Sequence, residues 1–418
     1  MQRFMIVGGN RLQGTVRVSG SKNSSLPIVA ASLLLDGECT IRGVPRLRDV
    51  AVMRDVLVHL GAEVLWEKDS MHINARGVGC QDISEDLMRR MRASNLVLGP
   101  LISRFKNAKI SYPGGCAIGS RPMNLHQKGL QMMGVNITEK YGFISAKAEK
   151  LKGCEIYLDM PSVGATENLM MAATMARGNT IIRNAAREPE IVDLQNFLSK
   201  MGAEIKGAGT DIIRITGVDS LNTSVEHTVI PDRIEAGTHM IAAAITGGDV
   251  VIADVIPEHL EPVINKLRET GVYVEVKDDQ VRVVADKRPK SVDIKTMPYP
   301  GFPTDMQPQF MTLMTVATNT SMVTETVFEN RYKHVMELRR MGADIRLEGQ
   351  TAVIKGIPRL SGAMVEASDL RAGAALVLAA MAAEDGTVLE QVEHIDRGYE
   401  RLENKYNALG ARIIRVNS

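Results

Sequence analysis

Residues 191–205 read IVDLQNFLSKMGAEI, and the fold of the whole chain rests on the pattern in this stretch. Four apolar side chains are spaced three, four and three residues apart and so share one face of a helix, namely Ile191, Leu194, Leu198 and Met201. Gly202 follows, and a glycine commonly ends a helix because it adopts positive φ without steric cost. The stretch therefore predicts a helix buried along one stripe, a glycine stop and then a short apolar strand.

The same helix, glycine and strand recur along the chain. The stopping glycines lie 68 to 73 residues apart and are Gly61, Gly134, Gly202, Gly271, Gly342 and Gly410. Upstream of each lies an Ala/Leu/Met-rich helix that is apolar all round, which indicates a fully buried helix. Each unit reads strand, helix, strand, helix and two strands. Because such a unit cannot cover its own faces, we predict that six repeats stack around shared cores.

The six units divide into two groups of three. The sixth unit ends without its last strand, and the chain begins with two strands that belong to no unit, so we predict that an amino-terminal hairpin completes the sixth unit. This arrangement gives a first lobe at 22–229 and a second lobe at 1–21 plus 230–418. Hinges are expected near 20–22 and 229–231, with a cleft between the lobes.

Composition limits the classes of function. Hydrophobic residues make up 44% of the 418 residues and charged residues 24%, an ordinary globular mixture. A net charge of +1 and an aromatic content of 4% argue against nucleic-acid or membrane-surface binding. The four cysteines form no CxxC pair, so we expect neither a metal site nor a disulfide framework. These features are typical of a soluble, reduced, cytoplasmic protein.

Basic residues recur at the predicted starts of the buried helices. The residues at this position of the six units are Lys22, Arg92, Val163, Arg233, Thr304 and Arg371. A helix amino terminus carries partial positive charge and disfavours cations, so four basic residues in register suggest helix ends that converge on an anionic ligand. Solvated caps or salt bridges between the lobes are the alternative.

Further polar residues depart from the repeat pattern. Asp305 and Asp369 stand beside two of the helix starts and are either helix caps or functional carboxylates. Arg331 and Arg397 begin equivalent second helices and carry more weight than the two histidines on helix stripes. Those histidines, His126 and His334, are better explained as hydrogen-bonded core residues. The segment 161–164 offers bare backbone amides that suit a phosphate or a flat polar ring.

A glycine-rich loop interrupts the second unit. Residues 112–122 read YPGGCAIGSRP, and the second unit is about three residues longer than the others at this place. The loop carries Cys116 and Arg121. It is either a surface turn with an idle thiol or a lid over the cleft.

The segments that depart from a plain repeat resemble one family over the whole chain, the UDP-N-acetylglucosamine 1-carboxyvinyltransferases, which are enolpyruvyl transferases. The matching segments are SKN from 21, MRAS from 91, PGGCAIGSRP from 113, PSVGATEN from 161, EPEIVD from 188, IPDRIEAGT from 230, GFPTDMQ from 301, TETVFENR from 324, DLRAGAAL from 369 and HIDRGYE from 394. The resemblance implies an α/β fold: a two-lobe inside-out α/β barrel of six βαβαββ-type repeats, three per domain with pseudo-threefold symmetry.

The resemblance also implies the reaction, in which the enolpyruvyl group of phosphoenolpyruvate passes to the 3′-hydroxyl of UDP-GlcNAc with release of phosphate. Residues matched to phosphoenolpyruvate are Lys22, Asn23, Arg92, Arg121, Arg331, Arg371 and Arg397. Residues matched to UDP-GlcNAc are Asn23, Arg92, Arg121, Pro122, Met123, Asn124, Leu125, Ser162, Val163, Gly164, Asp305 and Val327. Residues matched to catalytic roles are Cys116 as general acid, Asp305 as base for the hydroxyl, Asp369 as a second acid or base, Lys22 and Arg397.

No cofactor and no metal are expected, because arginines and helix dipoles supply the positive field. The expected partners are the two small-molecule substrates, with no nucleic acid and no membrane, in a monomer or a weak homo-oligomer. The family often has Val or Ile and then Asp where this chain has Met123 and Asn124, so a carboxylate contact to uracil is lost or becomes an amide contact. With its thiol in place, the chain is expected to be inactivated by fosfomycin at Cys116.

Two rival functions remain open at this stage. The shikimate-pathway enolpyruvyl transferase shares the six-unit plan, although the resemblance to it does not extend to the cysteine loop. A non-catalytic UDP-sugar sensor on the same scaffold is the rival from another class. It is disfavoured because the residues that carry the chemistry are all present.

Overall fold

The structure is a computed structural model, and it describes residues 2–80, 82, 83, 85–112, 118, 119 and 123–417. The chain divides into two compact units, and it passes from one to the other at 19–20 and at 230–231. The first unit contains residues 2–19, 118, 119 and 231–417, and the second contains the described residues between 20 and 112 and between 123 and 230. The predicted lobe ranges and hinges stay a prediction.

The strands are short, commonly five residues long. In chain order they are β1 (Gln2–Val7), β2 (Gln13–Arg17), β3 (Glu38–Arg42), β4 (Glu63–Glu67), β5 (Ser70–Asn74), β6 (Asn107–Ser111), β7 (Asn136–Lys140), β8 (Phe143–Lys147), β9 (Glu155–Tyr157), β10 (Asn179–Arg183), β11 (Glu204–Lys206), β12 (Ile212–Thr216), β13 (Ser224–Thr228), β14 (Asp249–Ala253), β15 (Tyr273–Lys277), β16 (Gln280–Val284), β17 (Ile294–Lys295), β18 (Thr320–Thr324), β19 (Asp344–Glu348), β20 (Thr351–Lys355), β21 (Met364–Glu366), β22 (Gly386–Glu390) and β23 (Arg412–Asn417).

The α-helices alternate with these strands. They are α1 (Lys22–Ala31), α2 (Arg48–Leu60), α3 (Glu85–Arg90), α4 (Leu98–Phe105), α5 (Asn124–Met132), α6 (Val163–Ala173), α7 (Pro189–Lys200), α8 (Arg233–Ile245), α9 (Glu261–Glu269), α10 (Gln307–Thr315), α11 (His334–Arg340), α12 (Leu370–Ala382) and α13 (Leu402–Ala408). Short 3-10 helices lie at Ser32–Leu34, Arg92–Val97, Pro257–Leu260, Thr304–Met306 and Val392–Arg397. None of the helices in the described residues combines the length and the apolar character that a bilayer crossing requires.

Among the described residues, each unit contains three sheets. The strand orders in the first unit are β21-β22-β1-β23, β15-β16-β14-β2 and β17-β18-β20-β19. Those in the second unit are β13-β3-β5-β4, β11-β12-β10-β9 and β6-β8-β7. In the first unit α8, α10 and α12 pack against one another and are buried almost all round, and α1, α4 and α6 are similarly buried in the second. Helices therefore form each core, and the predicted α/β fold of six repeats is confirmed.

The predicted helix starts agree with the structure. α1 begins at Lys22, α6 at Val163 and α8 at Arg233, while 3-10 helices begin at Arg92 and Thr304. α12 begins one residue before the predicted position. Side-chain oxygens of the preceding residues cap four of these helices, because the first backbone N–H groups of a helix have no partner within it. The capping residues are Ser21, Ser162, Asp232 and Asp369.

The predicted amino-terminal hairpin is wrong in one strand. β1 does complete the sixth repeat, since it pairs antiparallel with β22 on one side and with β23 on the other. β2 instead lies parallel to β14 in the sheet of the fourth repeat. β1 buries Phe4 and Ile6 in the core, whereas β2 supplies the first parallel strand that the fourth repeat lacks. Sequence adjacency suggested a hairpin, but the two vacant strand positions lie in different sheets.

Candidate active site

Lys22 is held by a buried carboxylate in the second unit. Its Nζ lies 2.7 Å from Asp49 Oδ2, and the two side chains are only 9% and 4% exposed. Asp49 belongs to the first turn of α2, so its charge also lies favourably at that helix end. The carboxylate offsets both the desolvation of the ammonium and its unfavourable place at the start of α1. A buried ion pair thus holds Lys22 at the start of α1, and its role in binding an anion stays a prediction.

A second buried carboxylate anchors the same helix. Asp193 accepts a short hydrogen bond from the Ser24 hydroxyl, two residues beyond Lys22 on α1. Its oxygens also bond His227 Nε2 at 2.9 Å and accept from the Ile230 N–H at 3.2 Å. Ile230 is the last residue of this unit before the chain enters the other. Asp193 therefore ties the helix that carries Lys22 to the end of the second unit, and no sequence pattern pointed to this contact.

The segment predicted to offer backbone amides opens α6. Ser162 accepts from the Ala165 N–H at 3.4 Å, and Gly164 lies near the ring of His126, where an added Cβ would be 3.4 Å from Cε1. The amide of Asn168 is oriented by the Gly99 N–H, which donates to Oδ1 at 2.7 Å, so its Nδ2 donates to His126 Nδ1 at 3.0 Å. The neutral ring then carries its proton on Nε2. His126 is 6% exposed and belongs to a core network, as expected from the sequence.

A cluster of three glutamates was missed by sequence reasoning. Glu167 is 3% exposed on α6, and burial raises its pKa well above the usual range. The negative charges of Glu190 and Glu188 raise it further. Glu167 is therefore kept protonated at pH values at which a carboxyl is ordinarily ionised. The segment 188–193 was noted only as a motif, because two glutamates near a helix start read as ordinary first-turn acids.

The first unit holds a carboxylate between two arginines. Arg331 Nη2 donates to Asp305 Oδ1 at 2.8 Å, and Arg371 donates to Oδ2 from Nη2 at 2.9 Å and from Nε at 3.2 Å. The arginines are 3% and 2% exposed, while the Asp305 side chain is 26% exposed. Two guanidinium groups favour the ionised carboxylate. Asp305 therefore pairs with arginines and does not cap its helix, while its role as a functional carboxylate stays a prediction.

One nitrogen of each arginine is buried without an acceptor in the described part of the chain. Arg331 Nε and Arg371 Nη1 have no hydrogen-bond partner among the described residues. Burial acts to lower the pKa of Arg371, but Tyr399 and Asp305 outweigh it, so the pKa is raised and the guanidinium stays charged. Unpaired buried N–H groups are costly, and an anion that accepted from both would remove this cost. The prediction that these arginines bind an anion stays a prediction.

Asp369, unlike Asp305, is a helix cap. Its Oδ1 accepts from the backbone N–H groups of Arg371 at 2.9 Å and Ala372 at 3.1 Å, so it caps α12. Oδ2 lies 3.3 Å from the Ser368 hydroxyl. The cap fixes the turn from which the Arg371 side chain extends. A positioning role is therefore visible for Asp369, while its assignment as an acid or base stays a prediction.

Glu325 organises the segment around Asp305 and Val327. It is 1% exposed and accepts four hydrogen bonds, which come from Thr296 Oγ1, Thr304 Oγ1, Val327 N and Phe328 N at 2.8–3.1 Å. Thr304 precedes Asp305 in its 3-10 helix. One carboxylate thus sets both the helix start that carries Asp305 and the turn that contains Val327. Glu325 was not predicted from the sequence, because a buried acid cannot be recognised without its donors.

His334 lies buried in the same unit. It is 1% exposed, and neither ring nitrogen has a hydrogen-bond partner among the described residues. Burial lowers its pKa from 6.5 to about 4; Asp369 opposes this and Arg331 adds to it. The ring is therefore neutral at pH 7. The expectation of a hydrogen-bonded core histidine is half right, since it is core but makes no such bond within the described part of the chain.

Several predicted residues lie outside the described residues. These are Cys116, Arg121 and Pro122, and the side chain of Arg92. Beside them, Met123 and Leu125 are 4% and 8% exposed, and Asn95 Nδ2 lies 3.0 Å from Met123 Sδ. Of the three residues after Pro122, only Asn124 has an exposed side chain. The Met123 and Leu125 side chains pack in the core, which leaves the Asn124 side chain facing solvent.

The other predicted residues occupy loops and helix ends. Asn23 is the second residue of α1 and Arg397 ends the 3-10 helix Val392–Arg397. Ile118 and Gly119 of the cysteine loop group with the first unit, where the Asn330 N–H donates to the Ile118 carbonyl at 3.0 Å. Among the other cysteines, burial raises the pKa of Cys39 to about 12, so that thiol is inert at neutral pH. The described residues contain no group of His, Cys, Asp or Glu that could hold a metal ion.

Comparison with known proteins places the chain in a family. The sequence profile of EPSP synthase (3-phosphoshikimate 1-carboxyvinyltransferase) matches residues 6–406. UDP-N-acetylglucosamine 1-carboxyvinyltransferase 1 of Carboxydothermus hydrogenoformans is 59% identical over 417 residues, which are 100% of this chain and 99% of the relative. The enzyme of the same name from Symbiobacterium thermophilum is 55% identical over 99% of this chain and 95% of its own. The chain belongs to the UDP-N-acetylglucosamine 1-carboxyvinyltransferase family.

Structures of enolpyruvyl transferases agree with the fold of this family member. NikO from Streptomyces tendae has a TM-score of 0.90 at 27% identity and covers 100% of this chain and 99% of its own. EPSP synthase from Acinetobacter baumannii has a TM-score of 0.75 at 19% identity over the full length of both chains, a likeness in fold alone. The prediction that the chain is a transferase of the UDP-N-acetylglucosamine 1-carboxyvinyltransferase family is confirmed.

Proposed function

We propose that the protein transfers the enolpyruvyl group of phosphoenolpyruvate to the 3′-hydroxyl of UDP-N-acetylglucosamine and releases inorganic phosphate. The names of relatives at 53–59% identity over the full chain support the acceptor and the reaction. The observation that carries the chemistry is the buried pair Arg331 and Arg371, which share Asp305 and keep unpartnered donors for an anion.

The proposal divides the cations between the two acidic groups of phosphoenolpyruvate. Arg331 and Arg371 would take its carboxylate, because their planar forks and free N–H groups match two carboxylate oxygens. The phosphate would be held by four cations, Lys22, Arg92, Arg121 and Arg397. Asn23, next to Lys22 at the start of α1, would donate an amide hydrogen bond.

UDP-N-acetylglucosamine would be held mainly by neutral groups. The first N–H groups of α6 are suited to a phosphate or the uracil ring, since they lie at a helix amino terminus beside the Ser162 cap. The proposed contacts are Asn23, Arg92, Arg121, Pro122, Met123, Asn124, Leu125, Ser162, Val163, Gly164, Asp305 and Val327. With Met123 and Leu125 buried, Asn124 would bring the polar side chain of its segment.

The chemistry would proceed by addition and elimination. The Cys116 thiol would give a proton to the methylene carbon of phosphoenolpyruvate while the sugar oxygen attacks C2 and Asp305 takes the hydroxyl proton. This yields a phosphorylated tetrahedral ketal. Loss of a proton from the new methyl group and departure of phosphate then restore the double bond. Lys22 and the arginines would stabilise the phosphate as it leaves, and Asp369 is a second candidate for proton transfer.

The two arginines would influence how well Asp305 accepts a proton. A carboxylate that accepts from two arginines is a weak proton acceptor. Asp305 would become a better base once the carboxylate of phosphoenolpyruvate competes for Arg331 and Arg371. Binding of one substrate would in this way prepare the base for the other.

The proposed cellular role is the first committed step of peptidoglycan synthesis in the cytoplasm, and hence a part in cell-wall growth, cell shape and division. The proposed inhibitor is fosfomycin, which would alkylate Cys116. Mass spectrometry of the treated protein should find one adduct at Cys116 and none at buried Cys39. A Cys116→Asp variant that stayed equally sensitive to fosfomycin would contradict this assignment.

A phosphate-release assay tests the function. Phosphoenolpyruvate is supplied with UDP-N-acetylglucosamine, with shikimate 3-phosphate or alone, and the proposal expects release only with the UDP-sugar. Release with shikimate 3-phosphate would favour the shikimate-pathway activity. Binding of the UDP-sugar, seen by calorimetry, with no phosphate released would favour a sensor. Arg371→Lys should lower release strongly, whereas Arg282→Lys, in an exposed arginine–aspartate fork of the same unit, should not.

A further inference from the structure

One sheet of the first unit exposes an apolar row. Met364, Val388, Met5 and Ile414 are in register across the four strands of the sheet β21-β22-β1-β23. Met364, Met5 and Ile414 are 54%, 46% and 64% exposed, and Val388 is half-buried. Alternate residues of the same strands, among them Phe4, face the core. The row therefore runs unbroken over the outer face of the sheet.

The other five sheets act as internal controls, because the repeats give each of them a comparable outer face. Their middle outer rows are Glu275–Arg282–Val251–Thr15, Met322–Val353–Arg346, Glu226–Thr40–His72–Leu65, Glu155–Ile181–Arg214–Lys206 and Lys109–Ser145–Thr138. Each of these rows contains at least one charged side chain. The wholly apolar row is thus a departure from the repeat and not a property of the fold. An apolar strip that crosses a whole sheet offers a partner a continuous surface to pack against.

The neighbouring row carries opposite charges at defined places. In register from β21 to β23 it consists of Glu366, Glu390, Arg3 and Val416. Neither Arg3 nor Glu390 has an ion-pair partner within 4 Å among the described residues, and Arg3 Nε is buried with no hydrogen-bond partner there. Glu366 is engaged by the Gln391 amide. Arg3 and Glu390 lie opposite each other on the two central strands, and since neither is held in an ion pair within 4 Å, both charges can also meet those of a partner.

We propose that this face is the interface of a homodimer, in which a second copy of the chain lays the same sheet face to face upon it. A two-fold axis parallel to the strands and running between β22 and β1 exchanges β22 with β1 and β21 with β23. Val388 then packs on Met5 of the second copy, and Met364 on Ile414. Arg3 meets Glu390 of the second copy, and the symmetry forms this ion pair twice. The face is thus self-complementary in apolar contact and in charge, as an isologous interface requires.

The area of the sheet face limits how tightly two copies would bind each other. Four strands about 4.8 Å apart, over about five residues of about 3.4 Å each, give a patch of roughly 300 Å² per copy. Stable complexes bury roughly 800 Å² per partner. Two sheets packed about 10 Å apart over this patch would hold a weak, reversible dimer. Of the two expected states, a monomer or a weak homo-oligomer, the proposal adopts the second.

Sedimentation equilibrium of the full chain tests the proposal. The chain should form dimers as its concentration rises to about 0.5 mM. Met5→Lys should weaken dimerisation by about ten-fold or more, because it places a charge in the centre of the row. Met322→Lys is the matched control, since Met322 is 49% exposed at the middle of another sheet's outer row, and it should leave dimerisation unchanged. A chain that is monomeric at about 0.5 mM, or equal effects of the two variants, would overturn the proposal.

A charge-swap experiment tests the two-fold pairing itself. Arg3→Glu sets a carboxylate against Glu390 of the second copy, and Glu390→Arg sets a guanidinium against Arg3 of the second copy. Each variant alone should therefore be monomeric. In a mixture, both acidic positions of one variant meet the two basic positions of the other, and a mixed dimer should form. Activity and Tm of each variant serve as folding controls. If the mixture associates no better than either variant alone, Arg3 and Glu390 do not meet across a two-fold axis and the proposal fails.

Discussion

Arg371 donates to Asp305 Oδ2 from Nη2 at 2.9 Å and from Nε at 3.2 Å, although the two residues are 66 positions apart. The arginine leaves the second position of a capped helix, and the aspartate stands in a short 3-10 helix of the preceding repeat. Their contact joins two repeats of the first unit. Any ligand that takes the free N–H groups of this arginine also changes what Asp305 can do.

Arg371→Lys should lower kcat/KM for phosphoenolpyruvate by about 100-fold, equivalent to about 2.7 kcal/mol. A lysine keeps the charge but loses the planar fork, so it cannot serve Asp305 and an incoming anion together. The measurement is steady-state phosphate release. Arg282→Lys is the control, because Arg282 also donates from Nε and Nη2 to one aspartate, Asp249, on an exposed sheet. A loss of similar size in the control would count against a special role for Arg371.

Asp49→Asn should destabilise the second unit and weaken phosphoenolpyruvate binding together. Removing the carboxylate leaves the Lys22 ammonium buried with less compensation, which costs about 3 kcal/mol for buried pairs. Thermal unfolding and the KM for phosphoenolpyruvate are the two readouts. Asp55→Asn is the matched control, since it lies on the same helix and pairs with Arg54 at 38% exposure. An unchanged Tm and KM in Asp49→Asn would show that Lys22 does not depend on this partner.

Glu325→Gln should lower stability by about 1–3 kcal/mol. The amide of glutamine keeps one acceptor oxygen and places two donors where four donors now converge, so at least one buried hydrogen bond is lost. Because these bonds set Thr304 and Val327, the KM for the UDP-sugar should rise as well. Glu348→Gln is the control, because Glu348 is exposed on β19, in the sheet whose strand β18 ends just before Glu325. Equal behaviour of the two variants in denaturant unfolding would contradict the assignment.

His334 should make the protein less stable in mild acid. Its pKa falls from 6.5 in the unfolded chain to about 4 in the folded one, so the folded state binds fewer protons between these values. The free energy of unfolding therefore falls as the pH drops from about 6.5 to about 4, and the contribution is intact above 6.5. His334→Leu should flatten the profile in this window by about 1–3 kcal/mol. Unfolding in denaturant at several pH values measures it, and an unchanged slope would contradict it.

The sequence predicted most of the local structure and part of the candidate site. The starts of the helices at Lys22, Val163 and Arg233 could be read because a helix start depends on nearby caps and a periodic apolar face. The sheet that β2 joins could not be predicted, since either of two sheets could accept an additional strand. The roles of Glu325 and Asp193 were also out of reach, because their hydrogen-bond donors come from distant segments.

The roles of Asp305 and Asp369 could not be distinguished from the sequence. Both stand at helix starts in similar surroundings of sequence, and a cap was possible for each. In the structure Asp369 caps α12, while Asp305 accepts from two arginines. A cap is a contact within three residues, whereas the partners of Asp305 arrive from 26 and 66 residues away.

By itself the sequence determined the six repeats, the buried helices and the register that puts basic residues at helix starts, since glycine stops, caps and apolar spacing act over a few residues. Only the tertiary structure decided that β1 and β2 join different sheets, that Arg331 and Arg371 share Asp305, and that an apolar row crosses one outer face. Those features depend on which backbones the fold brings together, and a linear pattern does not contain that information.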